Sequence, residues 1–103
     1  MYILVLVTAA NSRQAKKIAD FILKQKLAAC VNIVSKLESF FWWQGKVDKA
    51  KEVLLVIKSK KMLFNKLIKA VKSKHSYDVP EIVALPIVSG NKDYLDWIDE
   101  SCR

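Results

Sequence analysis

"LAACVNIVSKLESFFWWQGK", residues 27–46, ends in four aromatic residues in a row, Phe40, Phe41, Trp42 and Trp43, followed by a polar turn. The stretch 27–43 is rich in β-branched and aromatic residues and reads as one long strand. "QGK" (44–46) is a tight turn, and "EVLLVIKS" (52–59) is the strand that returns from it. Successive side chains of a strand point to opposite faces, so the four aromatics divide two and two. More than one side of this hairpin is therefore built to leave water.

The flanking segments place the hairpin in a sheet. "YILVLV" (2–7) is a continuous apolar run, the pattern of a central strand covered on both faces. "NSRQAKKIADFILKQK" (11–26) begins with Asn11 and Gln14 in capping-box spacing and carries Ala15, Ile18, Ala19 and Ile22 at helical intervals. "KKMLFNKLIKAVKSKH" (60–75) repeats the pattern with Leu63, Leu67 and Val71. "EIVALPIVSG" (81–90) is a fourth strand, and "NKDYLDWIDESC" (91–102) a short helix with Tyr94, Trp97 and Ile98 on one face and Asp93 in its first turn.

The order β-α-β-β-α-β plus a terminal helix predicts a ferredoxin-like α+β sandwich with an antiparallel sheet. Right-handed crossovers put the first and third strands in the middle and the second and fourth at the edges. Pro86 agrees, since proline in a strand belongs on an edge or at a bulge. Helices cover one face of such a sheet; the other is left with Val, Ile, Leu and aromatic side chains. Bare apolar faces and bare edges both call for partners. Self-association is predicted, with Phe40, Phe41, Trp42, Trp43 and Pro86 as interface residues. A second strand meeting the fourth strand of the next copy makes a head-to-tail contact that closes a ring.

One domain, 1–103, accounts for the whole chain, and its 52% hydrophobic content is ample for a core. No apolar run reaches the ~18 residues of a membrane helix. "MYILVLVTAA" has the apolar character of a leader core without preceding basic residues, and reads as a strand of a cytoplasmic protein. Cys30 and Cys102 form no C-x-x-C pair; Cys30 is expected to be a small buried residue and Cys102 to lie in a frayed end.

The net charge of +8 raises nucleic-acid binding. Sixteen of the eighteen cations are lysines, scattered along the chain, with only Arg13 and Arg103 as arginines, the side chain suited to bidentate recognition. An RNA-recognition module of this strand order stacks bases on its two central strands, and here those strands offer only Tyr2. Specific nucleic-acid binding is not expected; the RRM-like module and a non-metal interaction scaffold are the competing readings. Catalysis is not expected either. There is no G-x-S-x-G or H-E-x-x-H, Gly45 and Gly90 are the only glycines, and His75 is the only imidazole.

Five pieces in order resemble the CutA family of divalent-cation tolerance proteins: "LAACVN" (27–32), "FFWWQGKV" (40–47), "KEVLLVIKS" (51–59), "HSYDVPEIVALPI" (75–87) and "YLDWI" (94–98). The resemblance covers nearly the whole chain. It implies a tight homotrimer with sheets inward and helices outward, an architecture shared with the PII signalling proteins, and a role in tolerance of divalent metals, copper above all. In bacterial members the proposed copper ligands are a cysteine near the end of the first strand and two consecutive histidines. Here Val7 stands at the first position and Lys74 at the second, leaving His75; the family's H-P-Y is H-S-Y, with Ser76. The metal-site residue this implies is His75, alone or joined across a trimer by its symmetry mates, by Asp78 or by Glu81, with Cys30 as a soft second choice. A pocket between subunits, lined by Trp42, Trp43 and Tyr77, is the candidate small-ligand site.

Overall fold

Alternation in β1 (Tyr2–Ala9) decides what the sheet covers. In the computed structural model, which describes residues 1–103, Ile3, Val5, Val7 and Ala9 are buried on one face beside Val53, Leu55 and Ile57 of β3 (Lys46–Lys60). α1 (Ser12–Lys24) and α2 (Phe64–Lys74) complete this core with Ala15, Ile18, Ala19 and Ile22 from one helix and Leu67 and Val71 from the other. Complete burial stabilises each large aliphatic side chain by roughly 1.5–3 kcal/mol. β2 (Cys30–Trp43) and β4 (Ile82–Pro86) complete an antiparallel sheet of order β2-β3-β1-β4. The central pair and the edge position of Pro86 are as expected, and the fold is ferredoxin-like. The aromatic run lies on edge strand β2, away from the central strands on which an RNA-recognition module stacks bases.

α1 starts as its sequence predicts: Asn11 Oδ1 accepts the Gln14 N–H at 2.9 Å. Its end explains why β2 starts at Cys30 and not at 27. Lys26 is left-handed (φ 57), its N–H bonds to Leu23 O, and the Leu27 N–H bonds back to Ile22 O at 3.0 Å. This 6→1, 5→2 closure is a Schellman motif, and it engages residues 25–27 before the sheet begins. Leu27 O also accepts from the buried Ser59 hydroxyl at 2.6 Å.

Three further expectations are corrected. β3 starts at Lys46, well before Glu52, because the polar segment 46–51 pairs with the aromatic end of β2: Trp43 faces Lys46, Trp42 faces Val47 and Phe41 faces Asp48. The second helical segment opens with a 3₁₀ turn, Lys61–Leu63. The cysteines exchange places. Cys102 is fully buried, because α3 (Lys92–Ser101) docks through Ile98 and the chain end is tied by the Arg103 N–H to Lys26 O at 2.9 Å. Cys30 is half-buried on the face opposite α1 and α2, beside Tyr94 of α3 and with Lys58 Nζ at 4.0 Å from its sulfur.

That second face carries Leu4, Leu6, Leu54 and Val56 in partial burial, with Val34, Val83 and Leu85 45–48% exposed. At the hairpin tip Phe40 and Trp42 are 67% and 76% exposed. No helix of the chain is long and apolar enough to cross a membrane.

Candidate functional site

The site is shaped by one extra residue. β2 slips register between Val34 and Leu37: Val34 pairs with Leu54 and Leu37 with Glu52, so two residues of β2 oppose one of β3. Lys36, inside the slip, has φ 62, a conformation that costs a side-chain-bearing residue roughly 1–2 kcal/mol. Before the bulge, even-numbered residues of β2 share the open face with Leu54 and Val56. After it, the odd-numbered ones do: Leu37, Ser39, Phe41 and Trp43 stand beside Glu52, Ala50, Asp48 and Lys46. The aromatics do divide two and two, and the bulge selects Phe41 and Trp43 for the open face. The hairpin turns through Gln44 (φ 50) and Gly45 (φ 78), the two left-handed residues of a type I′ loop.

Beside Phe41 and Trp43 lies a cavity of about 780 Å³, walled on its other side by the loop after α2, including Tyr77 and Val79. Four carboxylates, Asp48, Glu52, Asp78 and Glu81, line it, and no lysine or arginine does. Asp48, Asp78 and Glu81 are exposed at the rim. Glu52 is only 9% exposed. Its Oε2 accepts the Tyr77 hydroxyl at 2.9 Å, and it belongs to none of the chain's ion pairs, which join Lys24 to Asp20, Lys60 to Asp99 and Lys92 to Asp96. Burial first, then the bond and charge of Glu52, pushes the Tyr77 hydroxyl up to about 12, so it stays a proton donor at neutral pH.

His75 holds Tyr77 in place. Nε2 lies 2.7 Å from Thr8 O, which can only accept, so that nitrogen carries the proton. Nδ1 accepts the Tyr77 N–H at 3.1 Å, and the two rings lie 4.7 Å apart. Both ring nitrogens are thus engaged by backbone groups of the same chain. A metal on either would have to replace one of those bonds. Ser76, where the family motif has proline, donates to Gln14 Oε1 at 3.1 Å and links the loop to α1.

The residues singled out from sequence fall into different places. Tyr77 and Trp43 meet in the cavity. Trp42, 76% exposed, does not line it. Phe40 contributes to the cavity lining and Pro86 lies on β4, on the far side of the sheet from β2. Cys30 sits at the start of β2, near Asn32 and Lys58, while Val7 is buried in the helix-covered core. Lys74 Nζ lies over the Phe21 ring at 4.7 Å. No three His, Cys, Asp or Glu side chains approach closely enough to hold a metal ion. Sequence reasoning missed Glu52 as the centre of the site. The signal was a single acid at the mouth of the apolar run "EVLLVI", without a cation at the cross-strand position.

Comparison with known proteins finds relatives over nearly the whole chain. A family profile described as CutA1, divalent ion tolerance protein, matches residues 3–101. The divalent-cation tolerance protein CutA of Thermus thermophilus is 48% identical over 94% of both chains, and that of Archaeoglobus fulgidus 44% identical over 98% of both. A chloroplastic CutA protein of rice is 50% identical, and there the chain spans 57% of the relative's length. Among solved structures, a divalent cation tolerance protein of Thermus thermophilus superposes with a TM-score of 0.98 at 47% identity, each chain covered completely. The rice CutA1 crystal structure gives 0.97 at 49% identity, covering 99% of this chain and 94% of the other.

Proposed function

The chain belongs to the CutA1 divalent ion tolerance protein family, and from that premise we propose that it works as a homotrimer in the response to divalent cations, copper among them, with a small-ligand site at the subunit contacts. The observation that carries this reading is the uncovered sheet face. Leu4, Leu6, Leu54 and Val56 are only partly buried there, and Val34, Val83 and Leu85 are 45–48% exposed, an apolar face of the kind that marks an interaction site. The aromatic hairpin extends that surface, and β2 and β4 offer edges that pair head to tail in a ring.

The role is binding, not catalysis. The one imidazole has no free lone pair to serve as a base, because its nitrogens hold Thr8 and Tyr77. The same engagement argues against copper(II) on His75 within a subunit, and favours the cavity around Glu52 and Tyr77 as the place where a ligand is held. Two free thiols suit a reducing compartment, and we place the protein in the cytoplasm.

Native mass spectrometry of protein from its own host tests the assembly and its load together. The expected result is a trimer; a monodisperse monomer at micromolar concentration refutes the reading. Removal of the protein should lower the copper(II) concentration that stops growth, and restoring it should restore that limit. An unchanged limit refutes the tolerance role.

A further inference from the structure

Glu52 poses a specific problem. A carboxylate 9% exposed is ordinarily paired with a cation, because desolvating an unpaired charge is costly. Here one hydroxyl donates to it, and no lysine, arginine or histidine of the chain reaches it. It lines a cavity whose other polar walls include three more carboxylates, four of the ten acids in a chain of net charge +8. Four of the remaining eight lining residues are aromatic, Phe40, Phe41, Trp43 and Tyr77, a class of ring whose face attracts cations.

The geometry points to this cavity as a site for a small organic cation: a primary ammonium or guanidinium carried on an apolar body. The cation meets Glu52, and the body lies against the aromatic rings. The Tyr77 hydroxyl donates to Glu52 Oε2 and so leaves Oε1 for the ligand. This deepens the reading of the cavity as a ligand site at the subunit contacts. A bare divalent ion fits the walls less well. The carboxylates do not converge on one point with a third ligand, a volume of about 780 Å³ far exceeds an ion, and aromatic faces supply no donor atoms.

Trp43 reports on occupancy through its fluorescence. The probes are benzylammonium chloride and its neutral near-isostere benzyl alcohol, titrated into the assembled protein at neutral pH, with the oligomeric state of the same samples read by sedimentation. Benzylammonium should bind saturably and at least about tenfold more tightly than the alcohol, the value of one charge-assisted hydrogen bond. Glu52→Gln, which keeps an acceptor for Tyr77 but removes the charge, should erase that preference. Equal affinity for the two probes in the parent protein overturns the inference, whether or not the variant folds. So does binding of neither probe, and so does competition in which copper(II) or zinc displaces benzylammonium at a lower concentration than benzylammonium itself requires. An intact trimer that rejects the probes removes the organic-cation site and leaves the assembly standing; a monomer that binds them does the reverse.

Discussion

Tyr77→Phe removes one hydroxyl and nothing else, and its cost can be worked out from the contacts of that oxygen. The hydroxyl donates at 2.9 Å to Glu52, a nearly buried carboxylate without a cation. A hydrogen bond to a charged group contributes about 1.5–3 kcal/mol, and losing it leaves the acceptor without a donor. For a domain of this size each 1 kcal/mol moves Tm by roughly 4–8 °C, so the melting point should fall by roughly 6–24 °C. Urea unfolding followed by circular dichroism, at fixed protomer concentration, gives the free energy directly; a fixed concentration is needed because assembly contributes to apparent stability. The same substitution in a Glu52→Leu background should cost less than about 0.5 kcal/mol, since no carboxylate remains to be deserted. The pH dependence follows from the same contact. The folded protein holds the phenol proton more tightly than the unfolded chain, with the value raised from 10.0 to about 12. The stabilisation is complete below 10.0 and is lost as pH rises through about 12, so the gap between parent and Tyr77→Phe should be flat at neutral pH and close over that interval. If Tyr77→Phe melts within about 0.5 kcal/mol of the parent at neutral pH, the hydroxyl is not bound to a desolvated carboxylate and the account of the site fails.

Other expectations are simpler. Leu67→Ala should destabilise by about 2–5 kcal/mol, because the side chain is fully buried between helix and sheet, and chemical denaturation will show it. Gly45→Ala should cost about 1–2 kcal/mol: a Cβ meets nothing within 4 Å there, so only the left-handed backbone resists it. Cys102 should resist iodoacetamide until the protein unfolds, since burial hides the thiol and pushes its pKa up; rapid labelling of the folded protein would contradict the docked terminus. Copper(II) titration should give the same affinity in parent and His75→Ala proteins, because His75 holds backbone groups at both nitrogens; a clear loss in the variant would return the metal to His75.

Most of the fold could be read from local pattern. The buried runs of β1 and β3, the helical stripe of α1 and the Asn11 cap are all properties of neighbouring residues. What escaped depends on pairing across distance. Residues 46–51 carry no strand signal of their own and become a strand because Phe40 to Trp43 lie opposite. Cys102 is buried by the docking of a helix whose own pattern ended at Ile98. The site was legible in pieces: Trp43 and Tyr77 were visible as aromatics, while Glu52 and Tyr77, 25 residues apart, become a pair only once β3 and the loop after α2 are folded.

The bulge at Lys36 works like a reading frame. Strand alternation is a two-letter code, and one additional residue between Val34 and Leu37 exchanges the letters for everything downstream to Trp43. With the turn and the β3 partners fixed, deleting one residue of the bulge would make the ladder regular while Phe41 and Trp43 keep their places opposite Asp48 and Lys46. The extra residue is thus a phase shift, by which Val34 and Trp43, an odd number of positions apart, come to share one face of the sheet.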